Sequence, residues 1–167
     1  TNDTVAITAA IAMGGVTWVP EGTFTITSQI PLPAGTNIQS NGKGVITTDV
    51  SIIPFYFAGT RTDHIKGLTI EGLTYLVDAD VTTYMLSGGC YDDLILKNNK
   101  VTGSGLCFLG QLNGVTDLDL WTSMTSYDDL SQNIEVSGNH ITGQPVDGWF
   151  KPVGIYMFYI SNATISN

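Results

Sequence analysis

Charge is scarce in this chain. Of 167 residues only 13% are charged, and six bases face 15 acids for a formal net charge of −9. Without a basic stripe there is nothing to neutralise a row of phosphates, which argues against nucleic acid as a partner. No apolar run approaches the roughly 20 residues that a membrane-spanning helix needs. Only two cysteines occur, Cys90 and Cys107. Their spacing demands no disulfide; a bridge between them stays open, and buried thiols within strands are the simpler reading. The two histidines, His64 and His140, have no partner at metal-ligand spacing and read as structural or turn-side residues. No metal and no cofactor is therefore expected.

Helix signals are nearly as rare. Thr1 to Met13 is the one convincing helix, with Asn2, Asp3 or Thr4 as its cap and Gly14-Gly15 as its stop. Val5, Ile7 and Ile11 give it an apolar face that can cover the open end of a stack.

Short strands and polar turns fill the remainder. From Leu94 to Leu120, apolar pairs spaced by two (Leu94/Leu96, Leu106/Phe108, Leu118/Leu120) recur every 12 residues, with Asn, Gly, Ser and Thr between them. Strands this short bury their apolar side chains by winding into coils that stack as parallel strands about 4.8 Å apart. The expected fold is all-β, a right-handed single-stranded parallel β-helix spanning residues 1–167, with a capping helix within 1–14. Ile165 reads as mid-strand and no terminal cap is visible, so the chain is expected to be the N-terminal part of a longer β-helix.

Taken in order, Val16/Trp18 and Phe24/Ile26 form strands around the Pro20-Glu21-Gly22 turn, and Leu68/Ile70 precede Leu94/Leu96 by one coil of 26 residues. The Phe55-Tyr56-Phe57 run suggests a packed loop or a subunit contact. Ile134/Val136 followed by Asn139 repeats the spacing of Leu94/Leu96 and Asn99. Asn at such corners accepts unusual backbone conformations, and stacked amides can form an inter-coil ladder. Two stretches leave the pattern, Trp121 to Gln132 and Gly143 to Pro152.

Asn2-Asp3-Thr4-Val5-Ala6-Ile7, then Gly14-Gly15-Val16-Thr17-Trp18-Val19-Pro20-Glu21-Gly22-Thr23-Phe24, resembles the opening of the pectate-lyase-like superfamily of right-handed parallel β-helices. Gly35 to Gly42 is similar to the segment that follows it, with Ser40 in place of the usual Gly. The resemblance implies polysaccharide chemistry, since the superfamily holds lyases, glycoside hydrolases and phage tailspikes that act as homotrimers on bacterial surface glycans. The G-H-G and R-I-K segments of the polygalacturonase branch are absent, as are the calcium-binding carboxylates and catalytic arginine of the pectate lyases; Arg61 is the only arginine.

Within the two excursions, Trp121, Tyr127, Trp149 and Phe150 are the candidate sugar-stacking residues, close to Asp128, Asp129 and Asp147. Glycoside hydrolysis needs two carboxyl groups about 5 to 5.5 Å apart for retention or about 6.5 to 9.5 Å for inversion. Asp128 or Asp129 opposite Asp147 is the candidate pair, although all three also suit turns. Among further acids, Glu71 follows the Leu68/Ile70 strand, Asp117 and Asp119 read chiefly as a solvated strand face, and Asp92/Asp93 with Asp78 and Asp80 as a neighbouring group would raise one carboxyl pKa towards acid catalysis if brought together. The expected function is glycosidic-bond hydrolysis of a bacterial surface polysaccharide as part of a homotrimeric phage tailspike, in a virion tail or outside a cell, without membrane insertion. A lyase or pectin-active cell-wall enzyme, or a non-catalytic glycan-binding or structural β-helix, is the alternative.

Overall fold

The computed structural model describes residues 2–48, 52–60, 63–77, 83–109, 130–142, 154–157, 160 and 162–167. Strands group into three parallel sheets visited in rotation, so that each circuit makes one coil. Sheet A holds β1 (Val16–Trp18), β4 (Asn37–Gln39), β7 (Ile65–Glu71), β10 (Tyr91–Lys97), β13 (Gln132–Ser137) and β16 (Ala163–Ser166). Sheet B holds β2 (Gly22–Thr25), β5 (Gly44–Thr48), β8 (Thr74–Val77), β11 (Lys100–Thr102) and β14 (His140–Thr142). Sheet C holds β3 (Ile30–Pro31), β6 (Phe55–Ala58), β9 (Tyr84–Gly89), β12 (Gly105–Leu109) and β15 (Ile155–Met157). The chain is a parallel β-helix.

Register fixes the core. In sheet A, Leu68, Leu94 and Ile134 stack in one inner column and Ile38, Ile70, Leu96 and Val136 in the next. Sheet B contributes Phe24, Ile46, Tyr75, Val101 and Ile141, and sheet C contributes Ile30, Phe55, Leu86, Cys107 and Ile155. Most of these side chains are fully buried. Each is covered by its counterparts one coil away, so apolar burial and the backbone ladder depend on the same alignment.

Several expectations change in detail. Three strands make a coil: the 12-residue step from Leu94 to Leu106 skips sheet B at Val101, and the inner register of β12 runs through Cys107 and Leu109. Trp18 and Val16 face outward and Thr17 inward, because Thr17 is the residue aligned with Ile38. Phe55 to Phe57 is strand rather than loop, with both phenylalanines in the core. Leu118 and Leu120 lie outside the described residues. Gly88 sits in the inner column of sheet C, where a Cβ would come 2.5 Å from the Phe57 ring, so its missing side chain is what admits the phenylalanine.

Helix α1 (Thr4–Ala12) is shorter than the expected segment. Thr4, Ile7 and Ile11 form its buried face, while Val5 is 76% exposed. Asp3 takes the N-cap position without capping; its Oδ2 instead accepts from Thr25 N (2.8 Å) and ties the helix to β2. Thr4 Oγ1 accepts from Thr27 N, a second tie.

Corners between sheets A and B follow one rule. Gly72, Asn98 and Gly138 occupy equivalent places and all have positive φ (68°, 54° and 61°). Each is followed by Leu73, Asn99 or Asn139. Asn99 Oδ1 accepts from Leu73 N (3.0 Å) and its Nδ2 donates to Ile70 O (2.9 Å), while Asn139 Oδ1 accepts from Asn99 N (2.9 Å) and its Nδ2 donates to Leu96 O (2.8 Å). This is the expected ladder, although the left-handed residue is Asn98 and not Asn99.

Substitution at this corner separates the two roles. Asn99→Ala leaves Leu73 N and Ile70 O buried without that partner and is expected to cost about 1–3 kcal/mol, seen as a lower urea midpoint. Asn98→Gly relieves a left-handed backbone and is expected to leave the midpoint unchanged or higher.

Candidate functional site

Connection lengths single out one sheet. Between sheets A and B the chain uses residues 19–21, 40–43, 72–73, 98–99 and 138–139, never more than four. From B to C it uses 26–29, 49–54, 78–83, 103–104 and 143–154, and from C back to A it uses 32–36, 59–64, 90, 110–131 and 158–162. Most of the variation in coil size therefore borders sheet C. The longest stretches between described strands, 110–131 and 143–154, both adjoin strands of sheet C.

That floor is the outer column of sheet C. Register aligns Pro31, Tyr56, Ser87, Phe108 and Tyr156 across successive strands. Tyr56 and Ser87 are half-buried and Pro31 is exposed. Tyr56 is the described aromatic side chain of this column, and Phe108 and Tyr156 share its register position.

Where sheet C turns back into sheet A, a polar cluster links three coils. Asp92 Oδ1 accepts from His64 Nδ1 (3.0 Å) and from Gln132 N (3.2 Å), and Lys66 Nζ is 3.8 Å from Asp92 Oδ2. A carboxylate only accepts, so His64 donates through Nδ1, and Nε2 is a buried nitrogen without a hydrogen-bond partner among the described residues. The His64 side chain is 6% exposed. The pair orients an imidazole inside the wall rather than presenting it on the surface.

Beside it, Tyr91 N donates to Ser131 Oγ (3.2 Å), and the Tyr91 ring meets Phe57 edge-on at 5.0 Å. The Tyr91 hydroxyl is buried without a partner among the described residues. Burial pushes its phenol well above the ordinary 10.0, and the nearby Cys107 and Cys90 thiols add to the effect. Both cysteines are buried and no disulfide joins them.

The residues expected to carry chemistry fall on the two longest connections. Trp121, Tyr127, Asp128 and Asp129 belong to 110–131, which joins β12 to β13, and Asp147, Trp149 and Phe150 to 143–154, which joins β14 to β15. All seven lie outside the described residues, as do Asp78, Asp80, Asp117, Asp119 and Arg61. What is fixed is their attachment: β12 and β15 are neighbours in sheet C, and one connection leaves the first as the other enters the second. Asp92 and Asp93 separate in role. Asp93 takes a left-handed corner (φ 58°) aligned with Gly67 and Asn133, and its Oδ1 accepts from Asn133 Nδ2 (3.0 Å). Glu71 lies on the outer face of sheet A, where its Oε1 accepts from Asn98 Nδ2 (3.4 Å). Among the described residues no group of three or more His, Cys, Asp or Glu side chains is placed to hold a metal ion. The His64–Asp92 pair escaped the sequence reading, yet folding the chain at the 26-residue coil sets His64 beside Cys90, two residues from Asp92.

Comparison with known proteins finds no matching family and no matching curated protein. Two solved chains of PfbA, a surface adhesin of Streptococcus pneumoniae, are similar at 15% identity, with TM-scores of 0.47 and 0.43. Each comparison covers 97% of this chain, which spans 54% and 57% of the adhesin chains.

The buried tyrosine gives a direct test. Above pH 10 the unfolded state ionises Tyr91 and the folded state does not, so its contribution to stability is full below that pH and declines above it. Tyr91→Phe is expected to keep or raise the urea midpoint at neutral pH and to flatten its fall in alkali. A large loss at neutral pH would mean that the hydroxyl has a partner.

Proposed function

We propose that this chain is a polysaccharide-binding β-helix whose glycan lies across the outer face of sheet C. The observation that carries the reading is the confinement of long connections to the borders of that sheet, together with the aromatic residues in its outer column. Trp121, Tyr127, Trp149 and Phe150, on the two longest of those connections, supply further stacking surface. Such a module works where polysaccharide is met, at a bacterial surface or on a phage tail.

Hydrolysis of the bound glycan is a second reading, favoured by one feature. Asp128 and Asp129 come from the chain that leaves β12, and Asp147 from the chain that enters adjacent β15, so the two sides of a glycan on this pair of strands each have an acid supplier. One carboxyl group would protonate the leaving oxygen and the other would attack or activate water.

Binding and cleavage separate in one experiment. Incubation with a panel of bacterial capsular and lipopolysaccharide glycans is expected to give binding that Tyr56→Ala, Trp121→Ala or Trp149→Ala each weakens by about tenfold, roughly 1.4 kcal/mol of stacking. New reducing ends that disappear in Asp128→Asn, Asp129→Asn or Asp147→Asn establish hydrolysis. Binding without new ends leaves the module non-catalytic, and binding that none of the aromatic variants weakens contradicts the site.

A further inference from the structure

We infer that the glycan on sheet C carries methyl-ended decorations, O-acetyl esters or the C6 methyl of 6-deoxysugars, and that one of them seats in an apolar hollow at the first-coil end of that sheet; the inference rests on the glycan-binding reading above and specifies its ligand. The hollow, ≈420 Å³, lies between the C-terminal half of α1 and the first two strands of sheet C, β3 and β6. Its volume falls within the range of sites that take small ligands. Among the described residues, buried Ile11, Leu32 and Phe57 and half-buried Ile65 supply the deeper lining. Ala12, Pro31, Pro33 and Ala58 are exposed and form its edge.

Continuity with the sheet C column selects the occupant. Pro31 and Tyr56 line the hollow and also head that column, so a glycan stacked on Tyr56 and continuing toward the first coil meets it directly. The Thr8 hydroxyl, also in the lining, donates to Thr4 O (2.7 Å), and the Leu32 N–H donates to Tyr56 O (2.7 Å). A sugar hydroxyl turned onto Ile11, Leu32 and Phe57 gives up water for hydrocarbon, whereas a methyl group gains by the same exchange. Burying one methyl group in this way corresponds to about fourfold in affinity.

The test is titration of polysaccharides in matched pairs: O-acetylated bacterial polymers beside the products of their mild alkaline de-O-acetylation, and rhamnose polymers beside mannose polymers of the same linkage. In at least one arm the methyl-bearing member is expected to bind about fourfold or more tightly, and that arm identifies the source of the decoration. Ala12→Gln places a good helix former on the exposed edge, away from sheet C. It is expected to bring the decorated polymer down to the affinity of its bare partner and to leave the bare partner unchanged. Equal affinity within every pair, or a preference that Ala12→Gln leaves intact, would overturn the inference; Trp149→Ala weakening both members of a pair would then leave the glycan site standing. Absence of binding to every polymer would overturn both readings. A dimer in sedimentation velocity that Ala12→Gln converts to monomer would show a second copy covering the hollow, and would also overturn the inference.

Discussion

Alignment of each coil on the one before it is the constraint from which the rest follows. A parallel strand is satisfied only when its neighbour presents donors and acceptors in step, and here the same step places Leu94 between Leu68 and Ile134 and Leu96 between Ile70 and Val136. A slip of one residue would turn the whole inner column outward. The corner between sheets A and B holds the step. A left-handed residue at Gly72, Asn98 and Gly138 reverses the chain in two residues, and the amides of Asn99 and Asn139 bond from coil to coil through the interior. Asn99, 1% exposed, is a buried polar side chain whose amide oxygen and nitrogen are both engaged, which is why it can lie in an apolar stack.

The corner between sheets A and B stays within two to four residues, so most of the variation in chain length falls elsewhere. Coils differ from 21 residues, Val16 to Asn37, to 40, Leu94 to Ile134, without disturbing the register of sheet A. The surplus collects on either side of sheet C. The two longest stretches between described strands, 110–131 and 143–154, hold the candidate Trp, Tyr and Asp residues. Asp92, reached by His64 from the preceding coil and by Gln132 from the following one, pins the base of one border.

Much of this was legible in the sequence, for a physical reason. Leu-x-Ile, Leu-x-Leu and Ile-x-Val report a two-residue period directly, and Asn99 and Asn139 repeat at a fixed offset from them, so the coil spacing at Leu68 and Leu94 and the amide ladder both emerged from residue order alone. The strand carrying Trp18 did not: its hydrophobic residues face outward and a threonine fills the core, so polarity misreports orientation where only alignment with Ile38 decides it. The third sheet was hidden for a similar reason. Strand β11 has three residues and its one inner residue, Val101, makes no apolar pair to count. The His64–Asp92 contact joins residues 28 apart and becomes visible only after the coil length is known. The candidate acids and aromatics could be proposed from their grouping, since chemistry tolerates irregular chain, while irregular chain has no period from which position can be derived.

Amide hydrogen exchange, followed with and without a saturating glycan, tests the central claim most directly. Exchange reports local opening, and a ligand slows it where it touches. The account predicts slowing in strands 84–89, 105–109 and 155–157 and in the chain 110–131 and 143–154, with sheets A and B unchanged. Slowing confined to the outer face of sheet A, around 93–97 and 133–137, would contradict it.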